Sequence, residues 1–217
     1  MRISILCSDS KHPVYTYLSD WCEKKSLSHE IELVSEVDSL TAGDLLFLIS
    51  CTTIITTEVR EKYISSLVVH ASDLPNGRGW SPLVWQVLEG RDEIIVSLIE
   101  AADPIDSGKI WGQRVLLLEG HELVHEINNK LFDIELELMD YAIDCFRQIK
   151  PKEQKEIAAT YYRKRVPEDS RVDPEKTISS QFDLLRVCDP ERYPAFFEFR
   201  GCEYEFKIFK RNKSDEK

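Results

Sequence analysis

Asp44-Leu45-Leu46-Phe47-Leu48-Ile49-Ser50 is the stretch that decides the fold. Its apolar residues run without a polar break, so a strand built from them is hydrophobic on both faces. Such a strand needs cover on both sides, which a parallel sheet flanked by helices provides. Leu67-Val68-Val69-His70 repeats the pattern further along. Outward from these two, residues 1–7 read as a short buried strand, and residues 12–25 as a helix with Val14, Leu18, Trp21 and Cys22 on one side. Residues 30–37 alternate as a strand, and residues 56–63 fit a short helix. After a loop carrying Pro75, Gly77 and Gly79 comes a helix near 81–89, then strands at 94–100 and 110–118. Strand and helix alternate, so the fold class is α/β with a mostly parallel sheet. Such sheets place ligands beyond the C-terminal ends of their strands, where Ser50 and His70 fall.

The helix near 121–147 has the clearest periodicity. Leu123, Ile127, Leu131, Ile134, Leu138, Tyr141 and Cys145 recur at steps of three and four and make one apolar stripe, which Pro151 closes. Residues 160–176 are polar and broken by Pro167 and Pro174, so a long loop is expected, followed by a helix over 177–187. Ala195–Phe199 and Tyr204–Phe209 flank Arg200-Gly201-Cys202-Glu203, a hairpin signal. The charged tail after Lys210 is expected to fray. The chain divides into a domain over 1–150 and an extension over 151–217.

Composition narrows the function classes. A formal net charge of −11 argues against a protein that grips a phosphate backbone. No segment is apolar for long enough to span a membrane, and the N-terminus reads as a strand instead of a signal peptide, so a cytoplasmic protein is expected. The six cysteines are scattered with no Cys-x-x-Cys, which reads as reduced, core-packing thiols.

Two constellations compete for chemistry. His70 ends an apolar strand and leads into Ala71-Ser72-Asp73-Leu74-Pro75-Asn76-Gly77-Arg78-Gly79-Trp80-Ser81-Pro82, where two glycines bracket Arg78. Alone, a strand-end histidine is more often structural, and Asp106 before Ser107-Gly108 is usually a turn residue. The rival is His121-Glu122-Leu123-Val124-His125, which matches H-E-x-x-H; on a helix both histidines would share a face. No third ligand follows at a workable spacing, because Glu135 and Glu137 lie on the same continuous helix. No metal is expected.

His70-x-Ser72-x-Leu74-Pro75, then Arg78-Gly79-x-x-Pro82, then Ile105-Asp106-Ser107-Gly108, in this order and spacing, resembles the folate-dependent formyltransferases. The run from Tyr161-Tyr162-Arg163-Lys164-Arg165 to Ser170, with Leu185-Arg186 and Tyr193-Pro194-Ala195-Phe196-Phe197 after it, resembles the branch that formylates amino sugars on nucleotide carriers. The resemblance covers residues 1–210. It implies a Rossmann-like, mostly parallel sheet with a small C-terminal helix and β-hairpin extension. It also implies N10-formyltetrahydrofolate as the formyl donor, and a catalytic trio of asparagine, histidine and aspartate. His70 and Asp106 match the last two. The asparagine position is Val68, which cannot donate a hydrogen bond to a developing oxyanion; losing one such donor typically costs ~10²–10³ in rate.

By the same resemblance, the pterin lies along Thr52-Thr53-Ile54 and Ala102-Asp103-Pro104-Ile105. Trp80 stands where relatives place a donor-contacting arginine, and it either stacks on the donor or packs. Ser72, Asn76 and Arg78 are the expected substrate contacts. Lys164, Arg163 and Arg165 either meet a diphosphate or are solvated. Ser8-Asp9-Ser10-Lys11-His12-Pro13 has no glycine, so the phosphate cradle of the purine-pathway glycinamide ribonucleotide branch is missing. The methionyl-tRNA branch usually carries a further C-terminal domain, for which this chain has no room. The expected acceptor is a nucleotide-linked 4-amino sugar, with UDP-4-amino-4,6-dideoxy-N-acetyl-altrosamine as first choice from the form of Arg78–Pro82. The glycinamide ribonucleotide reaction and a non-catalytic folate or sugar-nucleotide binding module stay open. Phe196, Phe197 and Phe209 either pair two copies through the hairpin or cover the chain's own core.

Overall fold

The computed structural model describes residues 1–211. The rest of the charged tail, expected to fray, lies outside the described residues. Six strands form the central sheet: β1 (Arg2–Leu6), β2 (Glu30–Val34), β3 (Gly43–Leu48), β4 (Tyr63–His70), β6 (Glu93–Glu100) and β7 (Ile110–Leu117). The two-residue β5 (Arg78–Gly79) lies between β4 and β6 in the chain, outside this sheet. The order across the sheet is β2-β1-β3-β4-β6-β7. The first four run parallel, whereas β6 pairs antiparallel with both β4 and β7. The fold is therefore α/β with a mostly parallel sheet. The reversal at β6 was not expected, because an apolar run looks the same read in either direction.

The helices follow the apolar runs. α1 (Val14–Lys25) buries Val14, Leu18 and Trp21, and α3 (Pro82–Leu88) buries Leu83 and Val87, with Pro82 in its first turn. Together with α4 (Val124–Asp144) they cover the larger core, built on Ile3, Ile5, Leu45, Phe47, Leu67 and Leu98. On the opposite face Leu6, Leu46, Leu48, Ile55 and Tyr63 make a smaller cluster, which Val68 and Ala101 join. The short helix expected over 56–63 is only α2 (Thr57–Arg60), and the chain re-enters the sheet at Tyr63, so β4 is longer than its apolar end suggested.

α4 begins at Val124, later than expected. The Glu126 carboxylate accepts the Leu123 N–H at 2.8 Å and fixes the first turn there. Its most buried residues are Ile127, Phe132, Glu135, Leu138, Met139, Ala142 and Ile143. The stripe is thus broader than the sequence indicated: Leu131 and Ile134 are only half-buried, and a carboxylate sits inside it.

Beyond residue 150 the chain crosses back over the loop that follows β4. β8 (Tyr161–Tyr162) pairs in parallel with β5 inside the expected loop. Further on, 3₁₀ turns at Pro167–Ser170 and Ser179–Gln181 precede α5 (Phe182–Val187), which shortens the helix expected over 177–187. β9 (Ala195–Phe199) and β10 (Cys202–Phe206) form the hairpin. Its two-residue turn has Arg200 at φ 52° and Gly201 at φ 79°, the positive values that match the twist of a tight hairpin. All six cysteines are free, but Cys202 is exposed on β10 instead of packed in the core.

Candidate functional site

β4 delivers His70 as its last residue, on the same side of the strand as Val68. The turn between β6 and β7 supplies Asp106. Ala101, at the start of that turn, packs with Val68 and Ile55, so the turn lies on the sheet face that carries the His70 side chain. His70 Nδ1 and Asp106 Oδ1 stand 3.7 Å apart, and both side chains are 7% exposed. That separation is an ion-pair distance and too long for a direct hydrogen bond. His70 Nε2 lies 2.8 Å from the Gly77 carbonyl. A carbonyl only accepts, so Nε2 carries a hydrogen and donates it. The free lone pair of neutral His70 is then on Nδ1, facing Asp106.

Asp106 is held from several sides. Its Oδ2 accepts the Gly79 N–H at 2.8 Å. Its backbone sits at φ 59°, a left-handed conformation unusual outside glycine. Two residues on, a Cβ on Gly108 would lie 1.8 Å from the Glu100 carbonyl oxygen, so only glycine lets the turn approach β6 this closely.

The loop after His70 is clamped from outside by the crossing segment. Arg78 N donates to Thr160 O at 2.9 Å and Trp80 N to Tyr162 O at 3.1 Å. Gly77 N donates to Thr160 Oγ1 at 2.8 Å. Added Cβ atoms on Gly77 and Gly79 would meet Tyr162 at 2.8 and 2.4 Å, and both glycines have positive φ. Tyr162 is anchored in turn: its hydroxyl donates to Glu89, and burial together with that carboxylate pushes its pKa up to about 12.

Arg60 draws two further loops together. It donates to Ile55 O at 3.4 Å and to Asp103, whose carboxyl is held below the usual range by that guanidinium. Thr52, Thr53 and Ile54 therefore lie near the 101–106 turn, and all three are exposed. Ala102 is half-buried, while Asp103, Pro104 and Ile105 are exposed. Ile54, Ile105 and Trp80 offer exposed apolar side chains on three separate loops, and the Lys164 ammonium sits 4.9 Å over the Trp80 ring.

The three expected substrate contacts differ in access. Asn76 is exposed. Ser72 is 1% exposed, its hydroxyl without a hydrogen-bond partner among the described residues, so it stands behind the loop surface. Arg78 is half-buried; its Nη2 donates to Gln154 Oε1 at 2.6 Å, and no carboxylate pairs with it among the described residues. Arg163 is paired with Asp169 and stacked over Trp85, and Arg165 donates to Ser170 at 3.1 Å, which leaves Lys164 as the freer cation of that run.

The zinc motif does not assemble. His121 precedes α4, and Glu122 is turned inward, where Glu119 N–H and Lys130 bind it. Although burial acts to raise it, those partners hold the Glu122 carboxyl at about 2. Among the described residues no group of His, Cys, Asp and Glu is placed to hold a metal ion.

Residues 6–143 match the formyl transferase family model. That is more than half of the chain. The chain belongs to the formyl transferase family. Solved structures agree in fold. A methionyl-tRNA formyltransferase from Clostridium thermocellum superposes with a TM-score of 0.83 at 24% identity, over 99% of this chain and 96% of that one. A 4-N formyltransferase from Francisella tularensis does so with 0.75 at 16%, over 97% and 98%. HypX from Aquifex aeolicus, in complex with tetrahydrofolic acid, gives 0.75 at 24%, over 94% of this formyltransferase but 36% of its own chain. The Clostridium chain is itself matched over nearly its whole length, so the likeness in fold needs no additional C-terminal domain.

Sequence reasoning missed Gln154 and Thr160, which brace the site from beyond the matched region, and singled out Tyr162 only as part of a motif, without its bracing contact. Gln154 and Thr160 stand in a stretch without periodicity, so nothing local distinguishes them from solvated residues.

Proposed function

We propose that this formyltransferase moves a formyl group from N10-formyltetrahydrofolate to the 4-amino group of a nucleotide-linked deoxy amino sugar. The observation that carries the reading is the 3.7 Å approach of His70 Nδ1 to Asp106 Oδ1, brought about by the end of β4 and the β6–β7 turn of a formyl transferase fold. The amine attacks the formyl carbon and must lose a proton, and the departing folate nitrogen must gain one. Nδ1 of His70 takes the first proton and returns it to the leaving nitrogen. Asp106 favours the imidazolium that forms between these steps.

The donor is assigned to the exposed edge made by Thr52, Thr53, Ile54, Ala102, Asp103, Pro104 and Ile105, with Trp80 stacking beside it. Exposed apolar side chains on convergent loops support that placement. Asn76 and Arg78 are assigned to the acceptor, and Ser72 to holding the loop behind them. The uncompensated charges of Arg78 and Lys164 support an anionic acceptor such as a nucleotide diphosphate. UDP-4-amino-4,6-dideoxy-N-acetyl-altrosamine is the first acceptor to test, and glycinamide ribonucleotide the comparison. The same reading takes two copies joined through the β9–β10 hairpin.

Val68 favours a second reading, a binding module that holds folate without turnover, because hydrocarbon stands where an oxyanion donor is expected. One set of measurements separates the two. Purified protein is mixed with N10-formyltetrahydrofolate and a panel of 4-amino nucleotide sugars, and both thermal shift and formyl transfer are followed. Transfer that drops at least ~10²-fold in His70→Ala and Asp106→Ala supports the enzyme. Stabilisation by donor without transfer to any acceptor supports the module.

A further inference from the structure

We infer that Gln154 is a positioning residue for formyl transfer, tying the loop that carries Arg78 to the turn that carries Asp106 and so setting where Asp106 stands relative to His70. The inference rests on the reading of His70 and Asp106 as the acid–base pair. One carboxamide makes all the contacts. Its Nε2 donates to the Asp106 carbonyl at 2.8 Å and to the Gly108 carbonyl at 2.9 Å. Its Oε1 accepts from Arg78 Nη2 at 2.6 Å. Two donors and one acceptor leave little of a glutamine's capacity unused.

The geometry explains why such a brace is needed. Asp106 is a non-glycine residue at φ 59°, a conformation that persists only where its surroundings over-determine it. The side chain is fixed at one end by Gly79 N–H. Gln154 fixes the other end by holding the carbonyls on either side of the Ser107 peptide unit. Through Arg78 it also fixes the loop that supplies Gly79 N–H and the Gly77 carbonyl that sets the His70 tautomer. Both members of the pair are thereby referred to one side chain that touches neither imidazole nor carboxylate.

Glutamine is the residue type that fits. Glutamate would keep the acceptor for Arg78 but replace the one nitrogen that makes both donations with an oxygen facing two carbonyls. Methionine has similar length and neither function. The crossing segment keeps its other ties, through Thr160 and Tyr162, when Gln154 changes. Both variants are therefore expected to fold.

The full-length protein is assayed with N10-formyltetrahydrofolate and UDP-4-amino-4,6-dideoxy-N-acetyl-altrosamine as Gln154→Met, Gln154→Glu, His70→Asn, Asp106→Ala and the pair Asp106→Ala/Gln154→Met. The expected result is a kcat loss of about 10²-fold in both Gln154 variants, with KM for the formyl donor within about twofold, because misplacement of about 1 Å has that effect on rate. Once Asp106 is gone, removing Gln154 is expected to cost less than about twofold more, since residues acting through one another are not additive. A kcat within about twofold of the parent in Gln154→Met, or full additivity with Asp106→Ala, overturns the inference. Parent-like turnover in His70→Asn instead overturns the underlying pair, and is recognised by that variant alone. A crystal structure of Gln154→Met decides the matter for any acceptor. Lengthening of the His70–Asp106 separation by about 1 Å supports the role, and an unchanged separation overturns it.

Discussion

Glu135 shows how a single residue escapes its usual chemistry. It lies on the inner face of α4, 5% exposed, and Oε2 has no hydrogen-bond partner among the described residues. Burial pushes its pKa up to about 8, from an ordinary 4.5. The native carboxyl thus keeps a proton that the unfolded chain releases. Stability therefore falls as pH rises between about 4.5 and about 8, because the native state binds more protons there. Glu135→Met keeps the volume at a packing cost below about 1.5 kcal/mol and removes the titration. The expected outcome is a variant more stable than the parent at pH 7.5, with a thermal midpoint that stays flatter across that window. Calorimetry at a series of pH values checks it. Val68 is the opposite case, visible as an anomaly in the sequence and placed by the structure in an apolar cluster. Gln154 belongs with Glu135: its identity carries no signal until its partners are known.

At the scale of elements, the difference between expectation and structure follows from what periodicity measures. Continuous apolar runs mark β3 and the end of β4 because a covered strand must be hydrophobic on both faces. The same runs carry no direction, so the reversal of β6 could not be read from them. β5 and β8 are two residues each and have no period at all; glycines pressed against Tyr162 make the pairing. The join between α4 and α5 was equally hidden. Arg186 is the largest fully buried side chain among the described residues, with Nε donating to Asp183 at 2.7 Å and Nη1 standing 4.0 Å from Glu122. Glu122 is the glutamate of the apparent zinc motif, so a residue that looked catalytic is a structural anion. Glu122 keeps Lys130 and the Glu119 N–H when Arg186 is removed, so Arg186→Ala costs mainly the emptied core volume and the bond to Asp183, and emptying a buried long side chain costs about 2–5 kcal/mol. The expected outcome is a fall in thermal midpoint on the order of 10 °C, measured by calorimetry.

At the scale of the whole molecule, a net charge of −11 opposes association, and the hairpin presents what opposes it least. Phe197 stacks on Tyr204 at 5.4 Å, and Tyr204 and Phe199 are 47% and 44% exposed. Phe196 lies instead under Arg171, and Phe209 is 77% exposed. If two copies meet on this face, Phe199→Glu/Tyr204→Glu runs as a monomer in sedimentation velocity while the parent runs as a dimer. The parent's thermal midpoint then rises with protein concentration. A monomeric parent at all concentrations removes the hairpin as a joining surface. By itself, the order of apolar runs determined a covered α/β sheet, and the spaced motifs around His70 and Asp106 determined the family, because burial and tight turns leave local marks on residue choice. Only the tertiary structure decided the 3.7 Å approach of that pair, the clamp through Gln154 and the fate of Glu122. Those depend on contacts between segments far apart in the chain, and no local preference records such contacts.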